Sequence, residues 1–370
     1  MTDLAESYLR LSLIQNVGST TIRKLIAKFG SPIDALKATR ADVMSLERVG
    51  AKIADAFVEG RDKADIDAVK RKLKAFNADY ICVDDERYPR LLRNIYDSPV
   101  GLYVAGKADL NAPSIAVVGC RNCSIYGSLV ARKFGAELGR AGLSVVSGLA
   151  RGIDSCAHQG ALDSGSKTIA VMGCGIDIVY PPENVDLYRK IIETGAVISE
   201  YPFGMRADRQ TFPMRNRIIA GMTSATLLVE SDIRGGGMIT ARLACDNGRD
   251  VFAVPGRIDQ PTSAGCHLMI KEGARLATCV EDVLEELGYS GQFELKFEKP
   301  PEGKTAASAF EKGSPEEKII GLLSKGDALS ADEISARTSL GIPEVLAAML
   351  SLELSFVVKK RTDGKWEKTF

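Results

Sequence analysis

Residues 115–154 read IAVVGCRNCSIYGSLVARKFGAELGRAGLSVVSGLARGID, and this stretch decides the fold of the main domain. An apolar run typical of a strand ends in a glycine loop, Gly119–Gly127, and a pattern of helical period follows it. A second apolar run, Ser144–Ser147, ends in a second glycine loop, Ser147–Asp154. A strand, a loop, a helix and another strand in succession make one βαβ unit, which predicts a parallel sheet.

The same unit repeats to about residue 288. Continuous apolar strands that alternate with amphipathic helices predict an α/β fold with a doubly wound parallel sheet. The predicted strands are Ile115–Val118, Ser144–Ser147, Thr168–Met172, Ala196–Ser199, Ala225–Glu230 and Val251–Val254. The predicted helices are Ser128–Arg140, Ser155–Leu162, Asn184–Glu193, Met214–Gly221 and Ile239–Asn247. Ligands of such sheets bind outside the carboxyl ends of the strands.

Glycine-bearing loops follow the predicted strands, at the edge of the sheet where ligands bind. They are Gly119–Gly127, Ser147–Asp154, Gly173–Pro181, Ser199–Gly204 and Arg234–Gly237. Glycine permits positive φ and lets backbone N–H groups approach a ligand closely, so such loops suit phosphates. Arg121, Arg151 and Arg234 lie inside three of the loops. Several phosphate-binding loops beside cations imply a ligand with several phosphates in a row, which predicts a nucleic-acid backbone as the ligand.

Composition limits the classes of protein to which this chain can belong. Its 370 residues predict two or three domains, and 48 Lys+Arg against 48 Asp+Glu leave no net charge. Affinity for nucleic acid must therefore come from local clusters of charge. The segment MTDLAESYLR does not have the pattern of a signal peptide, and no apolar run reaches the ~18 residues of a membrane helix. Eight scattered cysteines are typical of a reduced, cytoplasmic protein, and the lone CxxC at Cys120 and Cys123 predicts no metal site.

We predict the main domain at residues 81–288. One further region precedes it, and a second forms its first part. Residues 1–80 are helical in pattern and contain two similar phrases, NVG at 16–18 and RVG at 48–50, each before a helix start. This indicates a SAM-like or helix-hairpin-helix-like domain, in which backbone N–H groups would face a phosphate. An ordinary helical packing unit with glycine at a helix end explains the pattern equally well. Residues 81–112 are predicted to be a connecting segment.

The carboxyl-terminal part has its own pattern. Residues 289–313 lose periodicity and gain Pro, Gly, Lys and Glu, which predicts a flexible linker. Residues 314–370 contain three helical segments, then an Asp-Gly turn signal between two basic segments, which together outline a winged helix. Because its third helix carries no basic residue, a protein contact or a weak accessory role is favoured over DNA recognition.

Seven motifs of the main domain resemble, in order, those of the DprA/Smf family, DNA-processing protein A. They are GCRNCSIYG, SGLARGID, KTIAVMGCGIDIVYPPEN, ISEYPFG, FPMRNRIIAG, LLVESDIRGGGMITA and DVFAVPGRID. The resemblance implies an extended Rossmann-like fold that binds single-stranded DNA, without enzymatic activity or a cofactor. It also implies a homodimer through that domain, and loading of RecA recombinase onto incoming single strands during natural transformation. Two departures, Cys120 for the family's usual Ser and RGGG for its usual Ser-Gly-Ser, each remove a hydroxyl that could donate to a phosphate.

The predicted DNA-binding residues lie in the glycine loops and near the helix start after Phe212. They are Gly119, Arg121, Ser147, Gly148, Arg151, Lys167, Arg215, Asn216, Arg217, Gly235 and Gly236. Lys167 rests on the resemblance, because it precedes a strand, and only one of Arg215 and Arg217 is expected to face DNA, because they are two residues apart on a helix. Tyr180 and Phe203 are predicted to stack on unpaired bases. By the resemblance, the dimer interface is expected at His267, Leu268 and Ile270.

Two alternative hypotheses make the chain an enzyme. Asp154 could be a catalytic acid, although no His or second carboxylate is paired with it in the sequence, and His158 is expected to be a packed residue. Glu230 resembles the acidic position of Rossmann-like nucleotide phosphoribohydrolases. Those enzymes have a Gly-Gly-x-Gly-Thr loop, and the segment RGGGMITA of this chain only approximates it. The phosphoribohydrolase hypothesis leaves the other six motifs unexplained.

Overall fold

The computed structural model describes residues 1–289, 314–323, 329–354, 357–360 and 365–368. The chain divides into two compact units, residues 1–295 and 296–370. Within the described residues, no helix combines the length and the apolar character that crossing a membrane requires.

The amino-terminal part of the first unit is helical. Its helices bury a common core that includes Leu9, Leu25 and Phe57. They are α1 (Asp3–Ser12), α2 (Ser19–Phe29), α3 (Pro32–Ala35), α4 (Arg40–Met44), α5 (Ala51–Gly60) and α6 (Ile66–Phe76).

The two similar phrases of this part fold alike. Asn16 and Arg48 adopt left-handed backbone angles, with φ of 63° and 61°. Gly18 and Gly50 then form the N-caps of α2 and α5, and neither helix has a side-chain cap. The structure therefore contains two equivalent helix–turn–helix units, and a phosphate-binding role for either of them stays a prediction.

The first of these turns packs on the α/β region of the same unit. The Ser19 hydroxyl donates a hydrogen bond to the Glu200 carboxylate (2.6 Å). Arg23 donates to the carbonyl oxygens of Ile95 and Tyr96, both at 3.1 Å. The first turn thus has a packing role, which was one of the two alternatives raised by the sequence.

A nine-stranded sheet forms the centre of the first unit, and seven of its strands run parallel. The strands are β1 (Ala78–Cys82), β2 (Gly101–Gly106), β3 (Ser114–Val118), β4 (Ser144–Ser147), β5 (Thr168–Met172), β6 (Ala196–Ser199), β7 (Ala225–Leu228), β8 (Asp250–Ala253) and β9 (Arg275–Leu276). Their order is β1-β2-β6-β5-β4-β3-β7-β8-β9. Strands β3 to β9 pair in parallel, whereas β2 pairs antiparallel with both β1 and β6.

Helices cover both faces of this sheet. They are α7 (Arg90–Arg93), α8 (Ile125–Arg140), α9 (Ile153–Asp163), α10 (Val185–Thr194), α11 (Thr211–Met222), α12 (Gly236–Asp246), α13 (Ala264–Lys271) and α14 (Val280–Glu286). Successive residues of β3 point to opposite faces, so Ile115 and Val117 pack in one core while Ala116 and Val118 pack in the other. The predicted doubly wound parallel sheet is confirmed.

The region predicted as a connecting segment differs from the expectation. Residues 81–112 supply β2 and the last two residues of β1, and a domain boundary at residue 80 would divide β1. The short run GLYVAG at 101–106 has no alternation of polar and apolar residues. Its strand character comes from pairing with β6 on one side and β1 on the other.

The second unit has the outline of a winged helix. It contains α15 (Pro315–Leu323), α16 (Ala331–Thr338), α17 (Ile342–Leu354) and the antiparallel pair β10 (Val358–Lys360) and β11 (Trp366–Lys368). Ile319, Ile334, Val345 and Trp366 are buried in its core. The predicted Asp-Gly turn at 363–364 and the predicted linker, from residue 290 onward, lie outside the described residues.

Candidate nucleic-acid interface

The loops after β3, β4 and β5 and the start of α11 enclose a shallow basin. It lies at the edge of the sheet where the parallel strands end, which we call the carboxyl edge. The residues that line the basin are Arg121, Gly148, Ala150, Arg151, Tyr180, Pro181 and Phe212. The side chains of Arg121 and Arg151 are exposed to solvent, so the basin carries two accessible guanidinium groups.

Two aromatic rings line the basin together with these cations. The guanidinium of Arg121 is 5.0 Å from the centroid of the Phe212 ring, a distance at which a cation and a ring attract each other. The Tyr180 ring packs on Phe212 at 5.4 Å with a tilt of 40°, and 38% of Tyr180 is exposed. An unpaired base can therefore reach an aromatic face beside a bound cation.

The loop that carries Arg121 is anchored by Glu230. Both carboxylate oxygens of Glu230 accept hydrogen bonds from Ser124, one from its backbone N–H (2.8 Å) and one from its hydroxyl (2.6 Å). The Cys120 N–H also donates to the Glu230 carbonyl (2.7 Å). Glu230 is only 4% exposed, so it holds the loop in place and does not present a carboxylate to a ribose. The phosphoribohydrolase hypothesis loses its catalytic group in this arrangement.

The second loop packs tightly on the first. Gly152 has φ of 75°, and a Cβ at this position would lie 2.5 Å from the carbonyl oxygen of Arg121. The buried Asp154 carboxylate accepts hydrogen bonds from the N–H groups of Gly148 (3.1 Å) and Ala150 (3.4 Å). The Gly148 N–H is thus already bonded, contrary to the prediction that it would bind a phosphate.

Two more predictions on these loops are corrected by hydrogen bonds. The Ser147 hydroxyl is buried and donates to the Val117 carbonyl (2.7 Å), so it braces β4 against β3. A Cβ at Gly119 would lie 2.6 Å from the Glu230 carbonyl oxygen, so glycine at this position allows two loops to pack closely. Asp154, with its carboxylate held by backbone donors and buried, is likewise not placed as a catalytic acid.

Arg215 lies beneath Gly148 and is not among the residues that line the basin. Its side chain is 3% exposed and donates to the carbonyl oxygens of Gly148 (2.7 Å) and Val171. Burial lowers the pKa of Arg215 and raises that of Asp154, and each effect is partly offset by the charge of the other residue. The prediction that Arg215 contacts DNA is therefore wrong in this structure, and Arg215 is a positioning residue.

Arg217 is also buried and is committed to protein contacts. Its side chain forms ion pairs with Glu200 and with Asp97 (3.3 Å). Glu200 also accepts a hydrogen bond from the Ser19 hydroxyl, so this network joins α11 to the start of α2. The expectation that one of Arg215 and Arg217 faces DNA is not met by either residue.

Asn216 and Gly236 link α11 and α12 beside the basin. Asn216 accepts from Arg215 (3.2 Å) and donates to the Gly236 carbonyl (3.4 Å). Gly235 is the N-cap of α12, and no side chain caps that helix. The α12 N-terminus thus keeps backbone N–H groups at the carboxyl edge, as the sequence predicted for Arg234–Gly237.

Two predicted residues lie away from the basin. Lys167 is exposed but directly precedes β5, at the opposite edge of the sheet, and the five residues of β5 put about 16 Å between the two edges. The Phe203 ring packs edge to face on Phe76 (5.9 Å) and Tyr103 (5.5 Å), so Phe203 belongs to the core and to a neighbouring cleft.

The three residues expected at a dimer interface lie on α13. The ring nitrogen Nε2 of His267 lies 2.9 Å from the Gly256 carbonyl oxygen, within hydrogen-bond distance. Leu268 and Ile270 are partly buried against the sheet. Ile258, in the loop that leads to α13, is 96% exposed.

His158 is buried in α9, as expected. Its Nδ1 lies 2.6 Å from the Thr168 hydroxyl, and burial lowers the pKa of the ring to about 3, with the nearby charge of Arg215 acting in the same direction. The His158 ring is therefore neutral and buried, and its role is to pack in the core. Within the described ranges, no cluster of His, Cys, Asp and Glu side chains could hold a metal ion.

Sequence reasoning missed two arginines at this edge. Arg206 and Arg209 lie in the loop between β6 and α11, are exposed, and form no ion pair among the described residues. The signal was present as two cations shortly before Phe212, but the loop segment that carries them, residues 205–210, has no glycine. Residues 205–210 therefore lack the glycine pattern that marks the other loops of this edge.

Comparisons with known proteins agree with this architecture. The family model of DNA recombination-mediator protein A matches residues 79–288, and that of the DprA winged helix domain matches residues 303–364. Protein Smf of Synechocystis is 31% identical, and the match covers 98% of both chains.

Two solved structures are similar to this chain. The crystal structure of DNA processing protein A from Streptococcus pneumoniae has a TM-score of 0.69 and 36% identity, covering 77% of this chain and 99% of that one. A Helicobacter pylori DNA processing protein A, described for its single-stranded DNA binding mode, has a TM-score of 0.53 and 26% identity over 58% of this chain and 97% of that one. The sequence motifs, the sheet, the winged helix and these matches together show that the chain belongs to the DNA recombination-mediator protein A (DprA/Smf) family.

Proposed function

We propose that the chain binds single-stranded DNA in the basin at the carboxyl edge, in a manner tolerant of sequence. The observation that carries this proposal is the placement of Arg121 and Arg151, both exposed, around the rings of Tyr180 and Phe212. Cations for the backbone and rings for unpaired bases are the components of a single-strand site that reads little sequence. A duplex keeps its bases stacked inside, so it cannot use the rings.

Arg151 has to change partner when DNA binds. In the free protein it pairs with Glu183, and both side chains are exposed. An exposed ion pair contributes little to stability, so a phosphate can replace the carboxylate at low cost. Arg121 has no ion pair in the described region and is available directly. The Helicobacter pylori relative, described for single-stranded DNA binding, supports the proposal through shared family.

Fluorescence anisotropy across a salt series tests the binding proposal. A labelled poly-dT strand should bind tightly with an affinity that falls as salt rises, and a duplex of equal length should bind weakly. Equal binding of both would shift the function to duplex recognition by the helical or winged-helix regions. Absence of binding to both would refute the proposal and direct attention to nucleotide turnover.

The role in the cell is proposed from membership of the family. The protein, without enzymatic activity, would act in the cytoplasm during natural transformation and load RecA recombinase onto the bound strand. The test is the rate at which RecA begins single-strand-dependent ATP hydrolysis on DNA already coated with single-strand-binding protein. The protein should shorten the lag. An unchanged lag with normal DNA binding would remove RecA loading and leave the DNA site intact.

A homodimer through the α/β region completes the proposal. His267, Leu268 and Ile270 on α13 remain the proposed contact. Two exposed apolar residues close to α13 in the chain, Ile258 at 96% and Leu276 at 48% exposure, support an apolar interface there.

A further inference from the structure

We infer that the path of the single strand continues beyond the basin, across Arg206 and Arg209, into a second cleft. This cleft lies between the turn that joins α1 to α2 and the loop after β6. This inference rests on the proposed function. It assigns a second binding element for the same strand, one that takes phosphates on two arginines and unpaired bases in the cleft.

A single loop connects the two places. Phe212 lines the basin, Arg209 precedes it by three residues, and Arg206 directly follows Met205, which lines the cleft. The chain from 205 to 212 spans at most about 25 Å when fully extended, and a turn between Asp208 and Thr211 shortens it. The arginines thus lie on the shortest stretch of chain that joins one lined surface to the other within the described residues.

Both arginines are free to bind an anion. They are exposed, and neither forms an ion pair with a described residue. The acidic groups nearby are already engaged: Asp208 accepts from the Gln210 N–H (2.8 Å), and Asp177 accepts from the Gly204 N–H (2.8 Å). Glu200 is paired with the buried Arg217.

The loop is held in place at its start. The Gly175 N–H donates to the Met205 carbonyl (2.9 Å), and this bond and the one from Gly204 to Asp177 tie the loop after β6 to the loop after β5. The Tyr180 ring of the basin belongs to the same β5 loop. A fixed distance between the arginines of this loop and the aromatic rings of the basin favours binding of a DNA strand that contacts both. Less conformational ordering of the protein is then required on binding.

The cleft is suited to bases. It has a volume of about 650 Å³ and opens at the carboxyl edge. Ile14, Val17, Pro202, Phe203 and Met205 give it apolar walls, and the exposed Gln15 and Asn16 place amide groups among its lining residues. Apolar walls with a few polar groups are the composition of a pocket for a flat, amphipathic ligand, and a nucleobase is such a ligand.

Binding of a short and a long strand separates this element from the basin. The probes are labelled thymidine oligomers of about 6 and about 20 nucleotides, which bracket the usual site sizes of single-strand binders. The double variant R206A/R209A should bind the short oligomer as the wild type does and the long one about tenfold more weakly. Its salt slope on the long oligomer should be smaller by about 1.4, the value for two lost phosphate contacts.

The matched control is R90A/R140A, which removes two exposed arginines that also lack an ion pair in the described region and lie away from the carboxyl edge. It should leave both affinities unchanged. Equal affinity of R206A/R209A and the wild type for the long oligomer, while both oligomers bind, would overturn this inference alone. Failure of the wild type to bind either oligomer would overturn the proposed function as well.

A cross-linking experiment on the wild type needs no variant. The long oligomer carries one 4-thiothymidine, moved from one end to the other, and cross-linked peptides are identified by mass spectrometry. Some positions should cross-link to residues 12–19 or 201–206. Cross-links confined to the basin at every position would overturn the inference.

Discussion

Replacing Arg215 by methionine tests whether the partner of this guanidinium is the protein or DNA. In the structure Arg215 is 3% exposed and donates to the carbonyl oxygens of Gly148 (2.7 Å) and Val171. Hydrogen bonds from a charged donor contribute about 1.5–3 kcal/mol each, so the two together amount to about 3–6 kcal/mol. Methionine fills part of the space, and the expected loss is about 3–5 kcal/mol in the free energy of unfolding, the range for breaking a buried charged network.

Urea unfolding followed by circular dichroism measures this loss as a lower midpoint at an unchanged slope. The matched control is Arg121→Met, which removes an exposed guanidinium of the same basin and should change the free energy of unfolding by less than ~0.5 kcal/mol. The two variants should behave oppositely in DNA binding at a temperature where both are folded. Arg121→Met should weaken poly-dT binding, and Arg215→Met should do so much less.

The double variant R215M/D154N adds a second test. Asp154 accepts a hydrogen bond from the Gly148 N–H and Arg215 donates one to the Gly148 carbonyl, so removing both charges should recover part of the stability lost in Arg215→Met. The reasoning would be refuted if Arg215→Met kept wild-type stability and lost poly-dT affinity as Arg121→Met does. Arg215 would then contact DNA.

Three other expected outcomes follow from the same geometry. His158 is neutral when folded because burial lowers its pKa to about 3. The unfolded chain binds the extra proton below about pH 6.5, so the His158 contribution should lower the free energy of unfolding by about 1.4 kcal/mol per pH unit between about pH 6 and pH 3. His158→Gln should remove this slope above about pH 5 and His267→Gln should not, and equal slopes in both variants would contradict the assignment. Gly148→Ala would place a Cβ 2.6 Å from Arg215 Nη1 and should cost about 1–3 kcal/mol by urea unfolding, whereas a neutral change would contradict this close approach. Ile258→Glu, at a 96% exposed position, should leave stability unchanged and yield monomers in sedimentation, and a persisting dimer would place the interface elsewhere.

The positions of the loops could be predicted from the sequence because they depend on local signals. Apolar runs such as SIAVV in β3 and TIAVM in β5 are buried throughout, and glycine follows each run directly or shortly after. The end of a parallel strand then fixes which edge of the sheet a loop occupies. Arg121 and Tyr180 could be assigned to the site in this way.

The direction of a side chain could not be predicted with the same signals. Arg121 and Arg215 both belong to motifs of the family resemblance, yet Arg121 is exposed and Arg215 lies beneath the second loop, because α11 packs under Gly148. Phe203 follows a strand end as Tyr180 does, but the helical part of the unit brings Phe76 against it. Such contacts join residues far apart in the chain, and no periodic pattern records them.

The most direct test of the central claim is a salt titration of single-strand binding by Arg121→Ala beside Arg90→Ala, with poly-dT and a mixed-sequence strand. If the basin holds the DNA backbone, Arg121→Ala weakens binding to both strands equally and lowers the salt slope by about 0.7, while Arg90→Ala matches the wild type. Wild-type affinity in Arg121→Ala, or a loss confined to one of the two strands, would contradict the claim.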